Sequence, residues 1–340
     1  MDINHPYANK KAGVCYAVTD DGRELPIIDV THPAFRLDPT PEEIDRRARQ
    51  FQRTMERMER NPRFLKKAIW RSMSRRSRLA AGLTRAEGGV LDNMTTYIMK
   101  LGPANLPPGY ATRMDRQMAE TLSPFCARLR LQYLAHLIAD GLASGLEARP
   151  GAALHLVDIA GGTASDSLNA LIVLKKERPG LLAGRALHIH VLDPDIAGPS
   201  FGRRALAALT APDGPLAGME PAWEHLPYDW AKTEPLENLL NRTGPDAIVS
   251  ASSEGGLLEY GSEPDIRANF AVLSRHASVG QMCGTVLNKN ELSRLAHASI
   301  GLASFARSRE ALIALAEDAG WRLDAKRESP FNSTVRLKRA

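Results

Sequence analysis

The 340-residue sequence predicts an α/β fold: a mostly parallel sheet with helices on both faces, closed by an antiparallel C-terminal strand and preceded by a mainly helical N-terminal region. Three observations carry this expectation. From about residue 152, short apolar runs alternate with amphipathic stretches of helical period, the pattern of repeated βαβ units. The last thirty or so residues change style, to a helix, a strand, a turn and a strand. The first 150 residues contain one β-like arm and are otherwise helical in pattern.

Taken in order, "VCYAVTDDGRELPIIDV" from Val14 reads as a hairpin, with Tyr16 and Val18 alternating and "DDGR" supplying the turn. Thr40 is a good N-cap before Pro41, with Glu42 and Glu43 in the first helical turn. The basic helix that follows should break at Asn61-Pro62, and Gly88-Gly89 and "GPANLPPGY" from Gly102 punctuate further helices. A long helix starts at Ser123, with Leu129, Leu131, Leu134 and Leu137 giving it an apolar side. Five strands follow in "ALHLVDIA", "ALHIHVLDPD", "AWEHLPYDW", "DAIVSASSEGG" and "VGQMCGTVLN", separated by helices. The tail supplies the helix "SREALIALAEDAG" and the strands "WRLDAKRE" and "TVRLKR". Two units result: residues 1–150, a helical cap or lid with a short hairpin, and residues 151–340, a catalytic domain.

Composition bounds the function. No run approaches the ~18 apolar residues of a membrane span, and the N-terminus lacks an apolar leader block. Cys15, Cys126 and Cys283 are odd in number and far apart, so neither a disulfide framework nor a metal centre is expected. The simplest expectation is a soluble protein of a reducing cytoplasm. Of the net charge of +5, the segment Arg46 to Arg78 carries about +11, with thirteen Lys/Arg against Glu56 and Glu59. The rest of the chain is mildly acidic.

The stretch "HLVDIAGGTASDS" from His155 ends a strand in an acid, turns on two glycines and enters a helix. A dinucleotide would need Gly-x-Gly-x-x-Gly and would place its pyrophosphate on the helix N-terminus. That fingerprint is absent, and Asp158 would repel a pyrophosphate. S-adenosylmethionine (SAM) has no phosphate, carries a sulfonium and an ammonium, and suits carboxylates at strand ends. A second acid, Asp193, stands at the tip of the next strand, where it can accept both ribose hydroxyls. A third, Asp229, lies between Tyr228 and Trp230 after the third strand, where an adenine would close.

With these acids in place, the chain resembles the class I SAM-dependent methyltransferase family. "VDIAGGTA" is similar to that family's first motif: Asp158, Gly161 and Gly162 match, while Ala160 and Ala164 replace glycines. The resemblance runs from about residue 152 to the C-terminus and implies the family's Rossmann-like sheet. It implies SAM contacts from Asp158, Ala160, Gly161, Gly162, Asp193, Pro194, Tyr228, Asp229 and Trp230. The fourth-strand residues Ser252 and Ser253 would flank the methionine part.

Fold does not settle reaction. Methyl transfer to a small acceptor relies mainly on positioning, sometimes with a base. Glu254 is the first candidate base, Asn288 lies near the site after strand five, and His225, His276 and His297 read as structural. Tyr97, Tyr110 and Arg113 sit where a lid could pivot, and an aromatic face such as that of Tyr110 could hold the sulfonium. An enzyme of small-molecule biosynthesis is therefore expected. The layout is similar also to the SAM-cyclising azetidine-2-carboxylate synthases, in which the cofactor's own amine attacks its γ-carbon and expels methylthioadenosine. A nucleic-acid methyltransferase is the third reading. It is disfavoured because Phe51, Met55 and Met58 have the spacing of a packed amphipathic helix and the catalytic half is acidic. Nucleic acid and membrane are thus not expected partners, and any homodimer would use the N-terminal helices.

Overall fold

A computed structural model describes residues 10–84, 91–300 and 304–340. The Gly88-Gly89 break and the side chain of His297 lie outside the described residues.

The N-terminal hairpin pairs β1 (Tyr16–Val18) with β2 (Glu24–Pro26), Ala17 facing Leu25. Helix α1 (Pro41–Glu59) starts where the sequence places it, the Thr40 hydroxyl accepting the Glu43 N–H at 3.3 Å. It ends before Pro62, which has no N–H to continue the ladder, and α2 (Arg63–Arg76) begins beyond it. The short α3 (Arg78–Thr84) is tied to α5 (Arg113–Ala119) through the buried Asp115. That carboxylate accepts from the Ser77 hydroxyl at 2.6 Å and the Leu79 N–H at 3.1 Å, and caps its own helix with Thr112. Between them α4 (Asn93–Lys100) is capped by Asp92. The long α6 spans Leu122–Ala148.

The sheet alternates as expected. Its strands are β3 (Leu154–Ile159), β4 (Leu187–Leu192), β5 (Ala222–Leu226), β6 (Ile248–Ser253), β7 (Val279–Leu287), β8 (Trp321–Glu328) and β9 (Asn332–Arg339). The spatial order is β5-β4-β3-β6-β7-β9-β8, with β9 antiparallel to both of its neighbours and β3 to β7 all parallel. This is the Rossmann-like sheet of class I methyltransferases. The order reverses between β3 and β6, and in open α/β sheets the crevice at such a switch point is the binding place. Helices α7 (Ser165–Glu177), α8 (Ala197–Thr210), α9 (Glu234–Arg242), α11 (Glu263–Arg275) and α13 (Arg309–Glu317) connect the strands, with the short α10 (Leu257–Tyr260) after β6. Helix α6 packs on α7 and against β7 and β9, so the sheet's layer begins before residue 150.

Apolar side chains on the two faces of β3 feed two different cores. Leu154 and Leu156 join the core shared with the N-terminal helices, whereas Val157 and Ile159 join the core under α9 and α11. Helix α12 (Glu291–Ile300) is not anticipated by the sequence reading. Asn290 starts it, accepting the Ser293 N–H at 3.0 Å, and it packs along α1 through a bridge from Arg294 to Glu59. No helix among the described residues is long and apolar enough to cross a membrane.

Near the opposite end of the strands His155, His188 and His190 form a parallel column. His155 and His190 share a proton between ring nitrogens 2.9 Å apart, and the other nitrogen of His190 meets Glu224 at 2.9 Å. Three ring nitrogens lie within 4.8 Å of one another, a proximity the sequence reading did not anticipate. The rings are parallel, with the His155 plane 1° from that of His190 and 9° from that of His188. Their in-plane lone pairs therefore do not converge. A hydrogen-bonded chain ending on Glu224 satisfies the two buried imidazoles of His155 and His190 as they stand.

Candidate active site

The turn after β3 shows what the motif is for. Ala160 and Ala164 both adopt left-handed backbone, at φ 54° and 49°. These are the two positions where alanine replaces a glycine of the motif the turn resembles, and an L-residue there costs roughly 1–2 kcal/mol. The turn keeps its shape despite the alanines. Ala160 N–H is fixed to the Leu192 carbonyl at 2.7 Å, and Ala164 caps α7 while fully buried. Gly162, also left-handed, has the Asn93 side chain so close that a Cβ would stand 3.0 Å from its oxygen.

Asp193, immediately after β4, closes on this turn. Its carboxylate accepts the Gly162 N–H at 2.8 Å, the Asp195 N–H at 2.9 Å and the Asn93 amide at 3.2 Å. Burial raises its pKa, opposed by those donors. Asn93, which opens α4, also donates to Asp195 at 3.1 Å, so one side chain from the N-terminal half holds two strand-end acids. The sequence gives no signal for it.

Asp158 is fully buried within β3. One oxygen accepts the hydroxyls of Ser167 (2.7 Å) and Ser252 (2.6 Å), and the other has no partner. Asp166 leaves an oxygen in the same state. Burial and their mutual repulsion push the Asp158 pKa well up, and burial with the nearby Glu254 charge raises Asp166.

A cavity of about 930 Å³ opens over these strand ends, with Ala160, Asp193, Pro194, Trp230, Glu254, Gly255 and Gly256 on its sheet side. Its far wall comes from helices α1 to α6. On the floor lies a buried ionic cluster. Lys100 Nζ stands 2.6 Å from Glu254, Arg130 Nε 2.9 Å from the same carboxylate, and Arg130 also reaches Glu259 at 3.2 Å. Glu259 further accepts from Asn332 and Thr285. Burial alone would raise the Glu254 pKa; Lys100 and Arg130 outweigh it and hold the group below the usual carboxylate value. Lys100, Arg130 and Glu259 are absent from the sequence-derived site, because three segments distant in the chain contribute them.

Other expected residues fall elsewhere. Glu254 reaches the cavity, but a carboxylate held ionised by two cations is a poor proton acceptor, so the geometry speaks against the expected general base. Tyr110 is not on the cavity wall; its hydroxyl accepts from Arg23 at 2.8 Å and its ring faces Arg23 and Arg78. Asn288 is spent on the C-terminal hairpin, donating to Ser329 and accepting from Ser333. Tyr228 is core, its hydroxyl donating to Asn269 at 2.6 Å, and Asp229 is exposed, accepting the Ala231 N–H. Trp230 alone of that trio lines the cavity. Ser252 and Ser253 are buried behind the wall, the latter accepting the Leu257 N–H. His225 bonds the Asp193 carbonyl, and His276 caps α11.

No protein-family profile and no curated protein matches the sequence. Among solved structures the chain is similar to magnesium protoporphyrin IX methyltransferase from Synechocystis PCC 6803 with bound SAH. The identity is 14% over 64% of this chain and 87% of that one, with a TM-score of 0.43. It is similar also to an O-methyltransferase family protein from Burkholderia thailandensis (15% identity, 67% and 60% of the chains, TM-score 0.40). A third is a SAM-dependent methyltransferase from Leishmania major (14%, 64% and 77%, TM-score 0.38). The fold itself is identified by its own strand order and register.

Proposed function

We propose that this chain is a SAM-dependent methyltransferase acting on a small acceptor taken into the cavity between the sheet and the N-terminal helices. The carrying observation is the cavity itself. It begins at Asp193, Pro194 and Trp230, where a ribose and an adenine find an acid and an indole, and continues into an apolar chamber that the cofactor does not need. Ligand pockets span roughly 300–1,000 Å³, so a site of about 930 Å³ leaves room for a second molecule.

The residues present suit SAM. Asp193 would accept the ribose hydroxyls, Trp230 and Pro194 would flank the adenine, and the turn at Gly161-Gly162 would let the backbone approach. Lys100 and Arg130 lie at the end where the amino-acid part would be held. Asp158, beneath the turn, fixes the loop through Ser167 and Ser252. When bound, SAM supplies an electrophilic methyl group. The protein's own contribution is to exclude water and align the acceptor, which is where most of the rate comes from in such displacements.

Intramolecular transfer of the 3-amino-3-carboxypropyl group, giving azetidine-2-carboxylate and methylthioadenosine, is the second reading. One observation favours it: Arg130 binds both Glu254 and Glu259, so neither offers a free base to an acceptor. Incubation with SAM alone and mass spectrometry of the products separates the two. Methyl transfer predicts negligible turnover until an acceptor is supplied, and then S-adenosylhomocysteine. Methylthioadenosine released from SAM alone, in step with a cyclic amino acid, establishes the second reading instead.

A further inference from the structure

The N-terminal half of the cavity has a chemistry that the proposed cofactor does not use. Met55 and Met58 of α1, Trp70 and Met73 of α2, Met99 of α4 and Met118 of α5 all line it. Thioethers on flexible stems adapt to irregular apolar shapes. Such a wall binds an apolar body and tolerates variation in its outline.

Alongside this chamber runs a second feature. Arg46, Arg49, Arg53 and Arg57 occupy one exposed face of α1 at helical spacing and, among the described residues, have no acidic partner. Arg47, on another face, is by contrast bridged to Glu43 and Glu120. Like charges three and four residues apart on one helix face repel each other and destabilise the helix. Glu56, on the same helix, accepts from Gln52 instead of relieving the row. The four arginines line a groove that shares Arg46, Gln50 and Thr54 with the mouth of the cavity. An apolar chamber thus opens onto an uncompensated cationic track.

Building on the acceptor reading of the cavity, we propose that the acceptor is an amphipathic anion. Its apolar body lies in the methionine-lined chamber, and a carboxylate or phosphate at its non-reacting end is held by Arg46, Arg49, Arg53 and Arg57. Guanidinium groups pair with either oxyanion through two parallel N–H donors. A row of them lets tails of different lengths find a partner. Because the groove is open to water, the attraction is screened by salt, with a Debye length near ~8 Å at physiological ionic strength.

The test uses probes with one body and different charge. Dansylaminoundecanoic acid and its methyl ester are titrated by fluorescence against the full-length wild type and the Arg49→Gln/Arg53→Gln variant, at low and high salt. The expected result is that the acid binds about tenfold or more tightly than the ester, and that high salt or the double variant removes the difference while the ester is unaffected. Competition by dodecanoate and by dodecyl phosphate then ranks carboxylate against phosphate. Equal affinities for acid and ester, or an unchanged acid affinity in the variant, overturns the proposal. So does tight binding of an RNA or DNA oligonucleotide at physiological salt that the same variant abolishes, since the row would then serve a polymer. Calorimetry with SAM on the same samples keeps the two proposals apart. Absence of any charge preference in the wild type with SAM binding intact refutes the anion track alone, and absence of SAM binding with the preference intact refutes the cofactor reading alone.

Discussion

Lys100, the last residue of α4, and Glu254, the first residue after β6, form a buried ion pair of 2.6 Å that joins the N-terminal helices to the sheet. Arg130 of α6 completes it from a third element. Two cations and the two carboxylates of Glu254 and Glu259 balance on the cavity floor. Taking one charge away is therefore far worse than never having the set, because the remaining partners are left uncompensated in a low-dielectric place.

Glu254→Gln should accordingly destabilise the protein by about 3–5 kcal/mol, read from urea unfolding. Adding Lys100→Met should restore part of the loss, since the double variant removes one charge of each sign. A simple sum of the two single effects would show that the pair is not coupled.

The SAM reading makes Asp193 the decisive contact. Asp193→Ala should weaken SAM binding at least tenfold, since a hydrogen bond to a charged acceptor contributes roughly 1.5–3 kcal/mol. Asn93→Ala should weaken it less, because Asn93 acts through Asp193. Calorimetry giving equal affinity in wild type and Asp193→Ala would remove the assignment.

Tyr110→Phe should leave SAM affinity and turnover within about twofold while costing roughly 0.5–1.5 kcal/mol of stability for the hydrogen bond to Arg23. A large drop in turnover at unchanged stability would return Tyr110 to the reacting centre, contrary to its place behind the wall.

The fold is legible in the sequence because β3, β4 and β7 are runs rich in apolar residues and helix α1 carries its own cap at Thr40. Thr40, Pro62 and the turn after Asp158 stand where local chemistry puts them. The sheet side of the site is legible for the same reason: acids at strand ends are local features, and Asp158 and Asp193 need only their own strands to be placed. What escapes is assembled across the chain. Asn93, Lys100 and Arg130 lie on helices whose sequence patterns show only a buried face, and their partners are between 100 and 160 residues away. Glu254 illustrates the limit. Its location is correct from the strand end, but whether a carboxylate is a base or an ion-pair member is decided by what packs on it.

The histidine column gives a dependence on pH whose sign is fixed. Burial first, then the neighbouring His188 and His190, lowers the His155 pKa from 6.5 to about 4. Above pH ~7 the imidazole is neutral in both folded and unfolded chains, and the full stability is present. As the pH falls through 6.5, the unfolded chain takes up a proton that the folded one refuses, and stability declines until about pH 4. Between pH 7 and 5 this one group should cost roughly 2 kcal/mol, with His190, also lowered by burial, adding in the same direction. The buried Asp158 and Asp166, whose pKa values are raised, Asp166 to about 6, oppose this decline by taking up protons in the folded state, and they do so in wild type and variant alike; Glu254, held low, loses its stabilising charge only below its unfolded value of 4.5. Urea unfolding of the wild type and of His155→Leu at pH 7 and pH 5 measures the difference directly. The variant should start less stable at pH 7, having lost the bond to His190, yet fall less on acidification. Equal declines in the two proteins would mean that the folded state accepts the His155 proton, and with it that the neutral, shared-proton chain from His155 to Glu224 is not the state present in solution.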